Sequence, residues 1–243
     1  MQSSTIIKIF GAFGFSVAGL VLVFNLAVGD PVSRAVVEMG WGLIVLWVIV
    51  CGSLMLRFRD RIRIFVLRIK MSWKIKFVLF CTILAMIEEA ITTTMTNMAP
   101  VFGVKVGEAY ITASTNYLDV IALHSVVVFI PMFIGWAFLL SRYDFSPNAV
   151  FILFGILGAT SEASFSGPSQ LLGIGYWMFI YGLMVYLPAY TLPKDRNAKT
   201  PKFRHYALAI ILPLLFAIPV AGIVNLIHPV KVHFESCLLA SGC

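Results

Sequence analysis

Seven apolar stretches follow one another along the chain, at approximately residues 6 to 28, 40 to 56, 77 to 98, 118 to 141, 148 to 166, 171 to 192 and 206 to 228. A helix needs about 20 residues to cross ~30 Å of hydrocarbon, and each stretch is close to that length. Core helices of that length in a soluble protein carry a polar face, which most of these stretches lack. Only 12% of the residues are charged, against roughly 25% in an ordinary soluble domain. The sequence therefore predicts an all-α, polytopic membrane protein. Residues 1–243 form one domain, a bundle of about seven transmembrane helices.

The basic residues orient that bundle. Lys8, the cluster Arg57, Arg59, Arg61, Arg63, Arg68, Lys70, Lys74 and Lys76, then Arg142, Lys194, Arg196, Lys199, Lys202 and Arg204 all fall on one side of a seven-span arrangement. Only Arg34, Lys105 and Lys231 fall on the other. The positive-inside rule then places the N-terminus in the cytoplasm and the C-terminus outside, in the cell (cytoplasmic) membrane. The net charge of +7 is thus a topology signal and gives no argument for a nucleic-acid partner. Small residues at Ala27, Val28 and Gly29 also suit a signal-peptide cleavage site, but the first apolar run is long for a signal peptide, so retention is expected.

Residues 57–76, RFRDRIRIFVLRIKMSWKIK, are expected to lie in the membrane interface against anionic headgroups, as a basic cytoplasmic segment. At helical spacing Phe58, Ile62, Phe65, Ile69 and Trp73 share one side, while Arg59, Arg63, Lys70 and Lys74 fall largely elsewhere. A solvated connector is the alternative. Cys51, Cys81, Cys237 and Cys243 show no paired metal-ligand spacing, and the last two would form a disulfide only in an oxidising compartment. No internal repeat marks an inverted-repeat transporter.

The segment MIEEAITTTMTN, residues 86–97, sets two adjacent glutamates, four threonines and an asparagine inside an apolar span. At about 100° per residue, Glu88, Thr92, Thr96, Glu89, Thr93 and Asn97 occupy one half of the helix. Ile87, Ile91, Met95 and Met98 occupy the other. An ionisable group at the bilayer centre costs roughly 2.5–3.5 kcal/mol on insertion scales, which makes the pair a candidate functional site lining an outward-facing polar cavity. Residues 101–119, rich in hydroxyls, would roof that cavity.

Two further groups fall near the same depth. Counting about 1.5 Å per residue from Pro147 sets Glu162 ~22 Å into its span, and counting from Lys76 sets Glu88 ~18 Å into its own. Gly155, Gly158, Ala159, Glu162, Ala163 and Ser166 share one small-residue face that lets another helix approach. His124 lies one to two turns above the glutamates, with Asp119 nearer the surface, and Pro131 is expected to kink the span below it. Glu88, Glu89, His124 and Glu162 suit a divalent metal ion such as zinc. The carboxylates equally suit a proton relay, or neutral glutamates bonded between helices.

A Glu-Glu pair in one span, followed by a histidine on the next, resembles the CAAX-processing and bacteriocin-processing family of intramembrane endopeptidases. Glu88 and Glu89 match the family's paired glutamates, with Thr93 at its arginine position. His124 matches its first histidine, with Val120 in place of the phenylalanine. No second histidine motif follows within a span, and Glu162 is the one ionisable residue in that region. The resemblance implies a metal-dependent intramembrane hydrolase of an unknown membrane or small-molecule substrate. In it Glu88 or Glu89 activates water, and His124 binds metal or stabilises an oxyanion. A cation- or proton-coupled transporter or channel is the alternative. There is no nucleophile elbow, phosphate loop or H-E-x-x-H, and no lysine in the seventh span to carry retinal.

Overall fold

A computed structural model describes residues 3–227, and for Phe165 and Ser166 the backbone alone. His228, Lys231, His233, Cys237 and Cys243, and with them the expected outer C-terminus and tail disulfide, lie outside the described residues. The chain is helical: α1 (Ser3–Val28), α2 (Pro31–Leu43), α3 (Gly52–Arg68), α4 (Trp73–Asn97), α5 (Tyr117–Leu123), α6 (Ser125–Leu140), α7 (Pro147–Ser166), α8 (Ile174–Tyr190) and α9 (Phe203–Ile227). No extended strand occurs among the described residues. By length and composition, five helical segments can cross a membrane: Ser3–Val28, Pro31–Arg68, Tyr117–Leu140, Pro168–Tyr190 and Phe203–Ile227. Several apolar helices of this kind make it a membrane protein.

Local chemistry explains where the elements begin. Asp30 caps α2: its Oδ1 accepts from the backbone N–H of Val32 and Ser33 at 3.0 and 3.1 Å, and Pro31 fills the first helical position. The Ser33 hydroxyl, and then its backbone N–H, hold the Asp30 carboxyl below its ordinary value. Ser146 caps α7 by accepting from Ala149 N at 3.2 Å, again with proline next, as its sequence suggests.

The second expected span, 40 to 56, is part of a much longer element. The π-helical stretch Ile44–Cys51 joins α2 to α3, so one helical rod runs over Pro31–Arg68, 38 residues. Its wider turn accompanies the buried Trp47, whose indole N–H donates to the Ile180 carbonyl at 3.0 Å. The basic segment 57–76 is accordingly the end of that rod, a short turn and the first residues of α4. In the expected span 118 to 141 the helix breaks at His124 (φ −135°, ψ −99°), and α6 continues through Pro131.

Packing centres on α4, α6, α7 and α8. The small-residue face of α7 meets α8. A Cβ on Gly158 would fall 2.1 Å from the Tyr181 ring, and one on Gly155 would fall 2.6 Å from the Met178 carbonyl oxygen. Only glycine permits that approach. Three basic regions gather at one end of the bundle. Arg59 and Asp60 meet Tyr186 and Tyr190 at the end of α8, while Arg142 and Asp144 exchange backbone hydrogen bonds with Lys199.

Candidate functional site

The polar half of α4 points inward. Glu88, Glu89, Thr92, Thr93 and Thr96 are buried, whereas Ile83 and Ile87 on the opposite side are 53% and 42% exposed. That division matches a helix with lipid on one side and a polar centre on the other. Met95, grouped with the apolar side in the sequence, is also buried, because its thioether packs against Gly42 of α2.

Hydroxyls from several elements hold Glu89. Thr92 Oγ1, one turn along α4, lies 3.0 Å from Glu89 Oε2, and Thr112 Oγ1 of the 103–116 loop donates to the same oxygen at 3.1 Å. The hydroxyl of Ser125, the first residue of α6, lies beside the same side chain. The loop is in turn fixed to the end of α4: Ile111 N donates to Thr96 Oγ1 at 3.3 Å, and Asn97 Nδ2 donates to the Thr115 carbonyl at 2.8 Å. This loop therefore forms a roof over Glu88 and Glu89, which are only 5% and 6% exposed.

Glu162 reaches the same centre from α7. It accepts a hydrogen bond from the Tyr181 hydroxyl on α8, where the Gly158 contact brings the two helices together. Glu88 lies within electrostatic range of Glu89 and Glu162, and the half-buried Tyr176 within range of Glu88 and Glu162. The three carboxylates are thus within electrostatic range of one another, although α7 packs mainly on α8 and α4 reaches it across that helix. Thr93, at the arginine position of the peptidase pattern, has its Oγ1 buried without a protein partner. Its hydroxyl retains capacity for a further hydrogen bond at the polar face of α4.

His124 sits at the break between α5 and α6, with Nε2 3.5 Å from Asp119 Oδ2. Among the described residues no three His, Cys, Asp or Glu side chains gather as a metal-holding group. What the sequence left unmarked was Ser125, whose only signal is its position after His124 at the start of a helix. Thr112 stood out only as one of the hydroxyls of residues 101–119, the expected roof. The chain matches no family model, no curated protein and no solved structure.

Proposed function

We propose that Glu88, Glu89 and Glu162 form the acid–base centre of an intramembrane hydrolase acting on a membrane-held substrate. The observation that carries this reading is the fixing of Glu89 by hydroxyls from α4, the roof loop and α6, with Glu88 and Glu162 in electrostatic range. A general base has to be held in place before its proton arrives, and hydroxyl donors from separate elements do that. Water beside the pair gives its proton to Glu89 as its oxygen adds to the substrate's acyl carbon. The proton then passes to the leaving group through the Glu88–Glu162 pair, next to Tyr181. Ser125 and the neighbouring His124 position the start of α6 against Glu89. The weak likeness of the Glu-Glu and histidine spacing to the CAAX-processing endopeptidases points the same way.

The seven-crossing arrangement belongs to this proposal. α4 and α7 hold 25 and 20 residues, lengths of ~37 and ~30 Å that suffice to span a bilayer. Both pack among the five apolar segments. The gathering of basic regions at one end supports a cytoplasmic N-terminus, with the roof loop outside, in the cell membrane.

Proton- or cation-coupled transport is the second reading. It is favoured by one feature: the charged groups acting on Glu88 are themselves carboxylates, which calls for protons or a cation from elsewhere. One experiment separates the two. Purified protein is incubated with a solubilised total membrane fraction in ¹⁸O-water, and the products are examined for label in new carboxyl groups. Hydrolysis predicts label that depends on Glu89 and disappears with Glu89→Gln. If no such label forms, while Glu89→Gln abolishes proton movement into dye-loaded proteoliposomes, the transport reading replaces it.

A further inference from the structure

The carboxylate site accounts for none of the chemistry at the far end of α3, where cations, phenols and exposed apolar side chains are crowded together. The rod formed by α2, the π-helical stretch and α3 has 38 residues, about 57 Å of helix against ~30 Å of hydrocarbon. Its last turns therefore reach past the apolar layer. Residues 57–76 hold eight Lys or Arg against the single acid Asp60. Between the cations, Phe58, Ile64, Phe65, Leu67, Ile69, Met71 and Ile75 are exposed, Phe65 to 67%. A purely solvated connector would not keep such apolar groups outside; an interface that is apolar on one side and anionic on the other matches both.

Within this region one spot is more than a diffuse patch. Arg59 and Arg63 are four residues apart, hence on one face of α3, and both act on Tyr190 at the end of α8. The Arg59 guanidinium lies 5.1 Å from the Tyr190 ring centre, and its Nη1 donates to Tyr186 Oη at 3.4 Å. The Tyr190 hydroxyl donates to Asp60 Oδ1 at 2.5 Å, which occupies the one nearby carboxylate. Arg63 Nε is buried and has no hydrogen-bond partner. A guanidinium N–H buried that way leaves an unmet donor beside a second guanidinium, and a phosphate oxygen is the acceptor that such a fork fits.

We infer that Arg59 and Arg63, backed by Tyr186 and Tyr190, bind the phosphodiester headgroup of an anionic phospholipid where the end of α3 meets the end of α8. The exposed apolar side chains of the same segment select the lipid over free phosphate, because they give its acyl chains a surface to lie on. This inference stands independently of the hydrolase reading.

The test uses the full-length protein in mild detergent. Its thermal midpoint and the lipid retained on native mass spectrometry are followed with added phosphatidylglycerol, phosphatidylcholine or inorganic phosphate. Phosphatidylglycerol should bind and stabilise, while the zwitterionic lipid and phosphate do so far less. The double variant Arg59→Ala with Arg63→Ala should weaken phosphatidylglycerol binding roughly 25-fold, about fivefold for each cation removed. Arg57→Ala with Arg61→Ala removes the same charge from α3 away from Tyr186 and Tyr190 and should retain most of the binding. Arg63→Lys, which keeps charge and stem but loses the fork, should fall between them and guards against a double variant that fails to fold. Equal losses in the two double variants, or equal binding of both lipids, would overturn the site. Stabilisation by inorganic phosphate as strong as by phosphatidylglycerol would overturn the lipid as its ligand.

Discussion

The basic end of the bundle and its polar centre treat charge in opposite ways. At the basic end, cations close loops: Arg196 donates to the Leu140 and Pro193 carbonyls and pairs with Asp144, and Lys76 Nζ donates to the Val66 and Ile69 carbonyls. Each of these contacts joins chain ends that have to be held near one another, and folding alone explains them. In the polar centre, Glu88, Glu89 and Glu162 lie against hydroxyls and within electrostatic range of one another. Packing α4, α7 and α8 would need no carboxylate there, and apolar side chains of like size are often neutral or stabilising at such positions. The difference teaches where to look for function: among the charges that the fold does not require.

Substitutions in the two regions should therefore separate activity from stability. The largest effect is expected for Glu89→Gln, which preserves shape and some hydrogen bonding while removing the base; ¹⁸O incorporation should drop by ~10²–10⁴-fold with little change in thermal midpoint. A drop in midpoint that accounts for the whole loss would place Glu89 with the structural charges and dissolve the contrast. Gly158→Leu comes next, since even a Cβ would sit 2.1 Å from the Tyr181 ring. Forcing α7 from α8 should cost about 1–3 kcal/mol or more in detergent unfolding, and should also part Glu162 from Tyr181.

Thr112→Val sharpens the comparison at the roof. It removes one of the hydroxyls on Glu89, which is expected to lower turnover about tenfold, ~1.5 kcal/mol, with the fold intact. At the basic end, Arg196→Ala should change stability by about 1 kcal/mol and leave turnover alone; a turnover effect would show that the two regions are coupled. The smallest effect belongs to Asp30. Its folded carboxyl is held below its ordinary value of 3.8 by Ser33, so the cap's contribution is complete above the unfolded value and is lost as pH falls through the folded one. Amide exchange at the start of α2 should accelerate only in strong acid, and in the Asp30→Ala protein that acceleration should be absent.

Much of the fold was legible because hydropathy and caps are local properties. The apolar runs, the Ser146–Pro147 start of α7 and the inward polar half of α4 follow directly from residue order. The fusion of α2 and α3 into one rod did not, because the basic residues after Arg57 read as a boundary while helix propensity carries the chain on to Arg68. The break at His124 was equally hidden, since Pro131 offered the stronger local reason for a distortion. At the site, Glu88, Glu89 and Glu162 stood out by charge alone. Ser125 and Thr112 did not, because a hydroxyl's partner is decided by tertiary approach, and a serine at a helix start has many local uses.

The account depends most on Glu88, Glu89 and Glu162 being one site. Infrared difference spectroscopy of the purified protein across a pH step reads this directly, with the carboxyl bands assigned through Glu88→Gln and Glu89→Gln. Glu162→Gln should then displace the band assigned to Glu88, because the two groups lie in electrostatic range. Bands of Glu88 and Glu89 that stay in place when Glu162 is changed would show separate carboxylates, and would contradict the single acid–base centre.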